Sequence, residues 1–446
     1  MSHMLSYFKT KSLAEQFCVL GLFLLPYDGL PVMPTHYRPV SVYFFCIATA
    51  LFILGDWKAK IIVDKSLRYL LNFFIYSAII GIATSFFYGN PIVNAVDHYA
   101  AFVMGFFAYV GVSLYLYRFS SDLLIMDTLT DILAYAYTIP IIVCVIEMLA
   151  IYTPFPMSVK LFLNGVFGGW QLNRICGTST ETSWMALHLL TILPVLYYRG
   201  WYKQEFFRKV LFVMATIAFV CCFSLTGFLI LAIAGIAYCL IRAYVEKQLA
   251  TALFKFFGFS LILLFAWNLI SYAASQMESS YFTARILNFS TSFSFRDLLF
   301  LDGSVFVRVG FPIIALQIFF DHPLFGTGAG SFAYMFKDYL LNNFREALEY
   351  KEVLYYFTTG TSAYATIYAK VFSEFGLVGG LLWLRFYLHA ATNKLASLNS
   401  VFIFWTAVLL AIPFQQGSYA YLPMCVGLAI MGTQPAHCVN EILRGG

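Results

Sequence analysis

Apolar stretches of membrane length, separated by short polar connectors, fill the chain from residue 13 to residue 273 and again from 371 to 433. A membrane-spanning helix needs about 20 largely apolar residues. About twelve segments meet that requirement, near 13–33, 40–55, 68–88, 98–117, 131–152, 180–198, 208–223, 225–243, 252–273, 371–389, 397–413 and 418–433. The two between 208 and 243 are parted only by Ser224 to Gly227. The pattern predicts an all-α polytopic membrane helix bundle. It falls into an N-terminal bundle over 1–273, a large loop over 274–370 and C-terminal spans over 371–446.

Between Ser275 and Lys370 the membrane pattern stops. The insert reads as a polar, aromatic run over Tyr281–Asp297, then an apolar helix from about Ser304 to Phe320. A glycine-rich turn follows at 326–330, then one or two helices across Phe332–Tyr356. The 304–320 helix is too short and too charged to span, and is expected to lie in the interface or pack on the bundle. A connector this long inside a compact protein usually carries function.

Composition agrees with the pattern. Hydrophobic residues make up 61% of the chain and charged residues 11%, against roughly 25% charged in soluble domains. Lys9 and Lys11 precede the first apolar run, and no small-residue cleavage site follows it, so that run is expected to remain as a span. Charge then orients the bundle. Alternate connectors hold 17 of the 27 basic residues, from Lys9 and Lys11 to Arg385, Lys394 and Arg444. The five shorter connectors of the other set hold only Arg38, Lys160 and Arg174, and the insert holds seven. The positive-inside rule puts the first set and both termini in the cytoplasm, and the insert outside. The net charge of +5 is thereby explained by topology and does not point to nucleic acid. Cysteine spacing shows neither a disulfide framework nor a metal motif. Few charges fall deep in the spans, Glu147 being one.

The candidate chemistry lies in the outward segments. Arg174 sits just before a helix that opens Gly177-Thr-Ser-Thr-Glu181. A guanidinium there can clamp a phosphate through two parallel hydrogen bonds, and a helix start adds free N–H groups. Thr178 and Glu181 also fit a capping box, so Glu181 reads as a cap, as a partner of Arg174 or as a base. His188, two turns on, reads as a satisfied packing histidine or as part of the site. Arg308 is flanked by Val305, Phe306, Val307, Val309 and Phe311. A charge set in such surroundings normally faces a bundle interior or a watery cavity, or else snorkels. Arginine does not deprotonate, so its role would be charge stabilisation. In Asp321-His322-Pro323-Leu-Phe-Gly326-Thr-Gly328-Ala-Gly330 the glycines permit close backbone approach, and His322 reads as a base or as a turn stabiliser. The run is neither a Walker loop nor a dinucleotide fingerprint. Arg285 and Arg296 are further candidates for substrate contact. Trp170 and outward tyrosines such as Tyr364 can stack on sugar rings or belong to an interfacial aromatic belt.

The order of these pieces resembles the O-antigen polymerase and ligase superfamily of integral membrane glycosyltransferases. Arg174-Ile-Cys-Gly177 with Glu181-Thr-Ser, Ser224-Leu-Thr-Gly227, Arg308 followed by Asp321-His-Pro-Leu-Phe-Gly-Thr-Gly-Ala-Gly-Ser-Phe, and Ser373-Glu-Phe-Gly-Leu-Val-Gly379 carry the likeness. It implies a GT-C-like bundle in a bacterial inner membrane with one large periplasmic loop. It implies inverting transfer of a glycan from undecaprenyl pyrophosphate to an acceptor sugar, without metal, nucleotide or other cofactor. The implied partners are the undecaprenyl-pyrophosphate-linked oligosaccharide, membrane lipid and a chain-length regulator. Arg174 and Arg308 take the places of the family arginines that contact pyrophosphate. Ligases carry a histidine shortly before the span that follows the loop. Here that stretch reads Thr361-Ser-Ala-Tyr-Ala-Thr-Ile-Tyr368, without one. Glu181-Thr-Ser183 has the form found in polymerases, so the resemblance favours a polymerase. The alternatives are a ligase acting on a lipid or protein acceptor, and a transporter of a lipid-linked sugar.

Overall fold

The computed structural model describes residues 12–30, 39–55, 65–119, 121–246, 294–359, 365–394 and 400–433, with isolated positions between 254 and 272. These residues form helices and connectors, with no strand among them. Four helices open the chain: α1 (Leu13–Phe23), α2 (Ser41–Gly55), α3 (Lys65–Phe87) and α4 (Ile92–Leu116). Next, α5 (Asp122–Ala136) and α6 (Thr138–Tyr152) stack end to end at Tyr137. They are followed by α7 (Met157–Phe167), α8 (Thr182–Tyr197), α9 (Phe206–Cys221) and α10 (Leu225–Glu246). The insert supplies α11 (Phe295–Leu299), α12 (Gly303–Asp321), α13 (Phe332–Asn343) and α14 (Lys351–Thr359). Helices α15 (Ile367–Thr392), α16 (Ser400–Ala411) and α17 (Leu422–Gly432) close the described chain.

Six helices among the described residues are long and apolar enough to cross a membrane: α3, α4, the α5–α6 pair, α10, α12 and α15. The other apolar helices are shorter, so twelve full-length spans are not what the described residues show, and the segment expected near 252–273 lies largely outside them. The first predicted span ends early, because α1 stops at Phe23. Beyond it Leu25, Pro26, Asp28 and Gly29 are buried without being helical. Backbone of that kind is tolerated at membrane depth only where protein surrounds it and satisfies its polar groups. Here Gly29 N–H donates to the Thr178 carbonyl at 3.0 Å, and the Thr178 hydroxyl donates to the Pro26 carbonyl. The connector expected over 153–179 contains a helix of its own, α7, which ends at Gly168 in the left-handed region (φ 72°).

Burial forms two cores. The larger joins the bundle helices around Tyr115, Tyr137, Tyr387 and Trp405. The smaller belongs to the insert and packs Phe306, Phe311, Phe332 and Phe336 with Ile314, Ile318 and Leu340. Helix α12 leans its second half on the start of α15, where Phe319 meets Phe372 at 5.4 Å between ring centres. It packs on the bundle, one of the two expected placements, but the expectation that it is too short and too charged to span is corrected: over Gly303–Asp321 its length and composition suit a span.

The two ends of the bundle differ in chemistry. Ion pairs such as Arg199–Asp131 (3.1 Å), Lys203–Asp127 (2.7 Å) and Lys394–Asp122 (2.8 Å) gather at one end. The insert docks at the opposite end, with the irregular segments 24–30, 168–181 and 415–421. We call this the capped end.

Candidate functional site

The loop that carries Arg174 is built around a buried carboxylate. Glu147, on α6, is fully buried, and Lys160 of α7 places its Nζ 2.7 Å from Glu147 Oε1. Glu147 Oε2 accepts two successive backbone N–H groups, from Cys176 (2.8 Å) and Gly177 (2.7 Å). A buried charge needs such partners to be tolerated. Gly177 takes φ 59°, and a Cβ there would stand 2.7 Å from Cys144 Sγ. Burial pushes the Cys176 thiol up, in keeping with an unreactive packing cysteine.

Lys160 is thus committed to Glu147, and Arg174 is not. Arg174 is half-buried, donates from Nη2 to the Phe223 carbonyl at 3.2 Å, and has no described carboxylate within ion-pair reach. Phe223 itself sits at φ 46° in the break between α9 and α10. The Arg174 loop also carries Trp170, which is 62% exposed, and Glu181.

The capping box expected from Thr178 and Glu181 is not formed. Thr178 is used by Pro26, and Gln171 takes the capping role, its Oε1 accepting Thr182 N–H (3.3 Å) and the Thr182 hydroxyl (2.6 Å). Glu181 accepts from Ser183 Oγ at 3.1 Å and remains partly exposed. It is not the carboxylate that fixes Arg174. His188 is fully committed: Nε2 lies 3.0 Å from Asp28 Oδ2, Nδ1 lies 2.8 Å from Tyr137 Oη, and all three side chains are buried.

The glycine-rich turn of the insert approaches backbone closely, but the backbone is the protein's own. Gly326, Gly328 and Gly330 all have positive φ and are buried. Cβ atoms on them would meet Glu374, Ser85 and Asn94 at 2.4, 2.3 and 2.2 Å. Thr327 N–H donates to Ser373 C=O (3.1 Å), Gly328 N–H to Glu374 C=O (2.8 Å) and Leu377 N–H to Pro323 C=O (2.7 Å). These bonds fall where α15 leaves helical geometry at Gly376 (φ 64°, ψ −165°). Gly326 and Gly328 therefore serve docking and do not line an open cradle. His322, which precedes them, is partly exposed, with its Nδ1 3.0 Å from Tyr88 Oη. Beside it the Tyr339 hydroxyl donates to Asp321 Oδ2. Burial and that bond hold the Tyr339 phenol above its usual range, so it stays a donor at any ordinary pH.

The other basic candidates lie on the insert. Arg308 lies in a wide π turn, Phe306–Gly310, where it is half-buried and donates to the Ser304 carbonyl and hydroxyl. Arg296 makes a two-pronged bond to Glu346 (2.8 and 3.0 Å) on an exposed surface. Arg285 and Tyr364 lie outside the described residues.

Several ionisable groups are buried inside the fold. Asp28, His98, Glu147, Lys160, His188, Arg208, Lys370 and Glu374 are all buried. His98 Nδ1 lies 2.8 Å from Glu374 Oε2, and Lys370 stands one turn before Glu374 on α15. Tyr419 and Tyr421, on the segment that enters α17, put their rings against His98 (5.0 Å) and His188 (5.8 Å). The only trace of this in the sequence is the Ser373-Glu374-Phe375-Gly376 run.

No family model and no curated protein matches the chain. Its chemistry is therefore argued from the capped end itself. That end offers a half-buried guanidinium, an exposed indole, a partly exposed carboxylate and a tyrosine-bound imidazole. Such groups can bind an anion, stack on a sugar and accept a proton.

Proposed function

We propose that the chain is a membrane glycosyltransferase of the polymerase kind that it resembles. It would join undecaprenyl-pyrophosphate-linked oligosaccharides on the outer face of a bacterial inner membrane. The observation that carries this is Arg174: a half-buried cation without a described acidic partner, on a loop fixed by Glu147 and Lys160. An arginine with no acidic partner among the described residues is prepared for an anion from elsewhere.

In this reading the acceptor hydroxyl attacks the anomeric carbon of the donor. The bond to pyrophosphate breaks, and the charge gathering on the leaving group is taken up by Arg174 and Arg308. Fixed donors aimed at developing charge are often the largest contribution to a lowered barrier. The hydroxyl proton goes to His322 or to Glu181, the one oriented by Tyr88, the other on the Arg174 loop.

The test is elongation of a synthetic polyprenyl-pyrophosphate-linked repeat unit by the purified full-length protein, with no ion gradient. The expected result is a ladder of longer chains that Arg174→Ala abolishes. Long chains at parental yield from that variant would overturn the proposal. A ligase is separated from a polymerase in a deletion strain. Loss of a polymerase leaves single repeats on the acceptor, and loss of a ligase leaves glycan on the carrier lipid.

One observation favours a second reading. Buried charges beside a helix broken at Gly376 are features of transporters. A transporter of a lipid-linked sugar would move it across a vesicle membrane without lengthening it.

A further inference from the structure

Glu374 is bonded to the insert and to the bundle at once. Its main-chain carbonyl accepts the Gly328 N–H at 2.8 Å, and its carboxylate is fully buried. The same carboxylate lies 2.8 Å from His98 Nδ1, on α4. Lys370 precedes it by one turn and holds its Nζ 5.2 Å from the centre of the Tyr419 ring, which also meets His98. Side-chain exposure of the pair is 2% for His98 and 0% for Glu374. Two residues on, Gly376 breaks α15, and that break frees the carbonyls and N–H groups that Pro323, Thr327 and Gly328 use.

A buried carboxylate with two nitrogen bases around it is costly to desolvate and is poor evidence of stability alone. Its more specific property is direction. The turn is bonded to the Glu374 main chain, while the Glu374 side chain is held by His98 of α4, so fixing that side chain in the bundle also sets where the turn sits.

We propose that Glu374 is the joint that seats the insert on the bundle, its main chain bonded to the turn and its side chain held by His98 and Lys370. These three are positioning residues for Asp321 and His322, which precede the turn, and for Tyr339 on α13, which follows it. The joint stands independently of the glycosyl-transfer reading, and its effect on catalysis rests on that reading.

The experiment uses the full-length protein carrying Ala329→Cys. Ala329 is fully buried in the turn, so labelling by a membrane-impermeant maleimide, measured against the protein without that cysteine, reports whether the turn is seated. Glu374→Gln keeps the volume and an acceptor oxygen and removes only the charge. We expect maleimide labelling to rise severalfold and kcat for elongation to fall about tenfold or more, with KM little changed because the Arg174 loop is untouched. His98→Asn, which keeps a nitrogen donor on a shorter side chain and loosens the grip on the carboxylate, should move both readouts the same way by less. It decides the matter if Glu374→Gln does not accumulate. His322→Asn should lower kcat and leave labelling at the parental level. Parental labelling in Glu374→Gln, or in His98→Asn where it must stand in, would overturn the joint. Full activity in His322→Asn would instead remove His322 from the reaction and leave the labelling result to judge the joint.

Discussion

Lys160 Nζ lies 2.7 Å from Glu147 Oε1, and both side chains are wholly buried. This pair, with the two N–H groups bound to Glu147 Oε2, is what gives the 168–181 segment a fixed shape without regular structure. Removing one partner from a buried pair leaves an uncompensated charge and costs about 3–5 kcal/mol. Lys160→Met should therefore lower the melting temperature of the detergent-solubilised protein sharply. Lys160→Met with Glu147→Gln should recover much of the loss, since the glutamine oxygen can still accept from Cys176 and Gly177. A single variant that melts with the parent would remove the pair from its structural role.

Helices were the legible part of the sequence, because burial in lipid or in a bundle demands long apolar runs, and these fix α2 to α4, α8 to α10 and α15 to α17 to within a few residues. The end of α1 was not legible. Residues 24–30 continue the apolar run that reads as the first span, but Pro26, Asp28 and Gly29 disfavour helix there, and Thr178, far along the chain, partners the backbone so freed. The same limit hid the buried ion pairs. His98 and Glu374, like Asp28 and His188, meet only after folding, and neither local spacing nor charge runs reveal them. Arg174 was legible as an exception among connectors poor in basic residues. Lys160 shared that signal and proved to be structural. The glycine-rich turn reads as a site of close approach, and what approaches is the bundle's own backbone, at α15, α3 and α4.

Arg174 offers a cleaner separation of function from stability. Its one hydrogen bond among the described residues is to the Phe223 carbonyl and it is half exposed, so Arg174→Ala should cost only about 1 kcal/mol. Elongation should nevertheless fall below detection. Arg174→Lys keeps the charge and loses the planar fork, so it should recover a minor part of the activity. Product ladders and melting curves on the same preparations decide this. Equal activity in the lysine variant would mean that a point charge is sufficient there.

His188 should behave in the opposite way. Its two ring nitrogens are taken by Asp28 and Tyr137. His188→Ala leaves both partners buried without it and opens a cavity between them, and the two effects together cost about 3–5 kcal/mol. Accumulation and thermal stability should drop, while activity per folded molecule stays near the parent. A stable variant with lost activity would move His188 from packing into the site.

Gly328 and Gly165 make a pair that tests the docking of the insert. At Gly328, φ is 104°, and a Cβ would stand 2.3 Å from Ser85 Oγ and 2.5 Å from the Ser85 backbone nitrogen. A backbone neighbour cannot rotate away as a side chain can, so alanine there must displace the turn or α3. Gly165 sits on exposed α7, and a Cβ meets nothing within 4 Å. Gly165→Ala should be neutral or stabilise by up to about 1 kcal/mol, as expected for glycine replaced within a helix. Gly328→Ala should reduce accumulation and admit protease to the insert at concentrations that leave the parent intact. If the two variants resist protease equally, the turn is not held as tightly as its contacts imply, and the surface bearing His322 is free to move relative to α15.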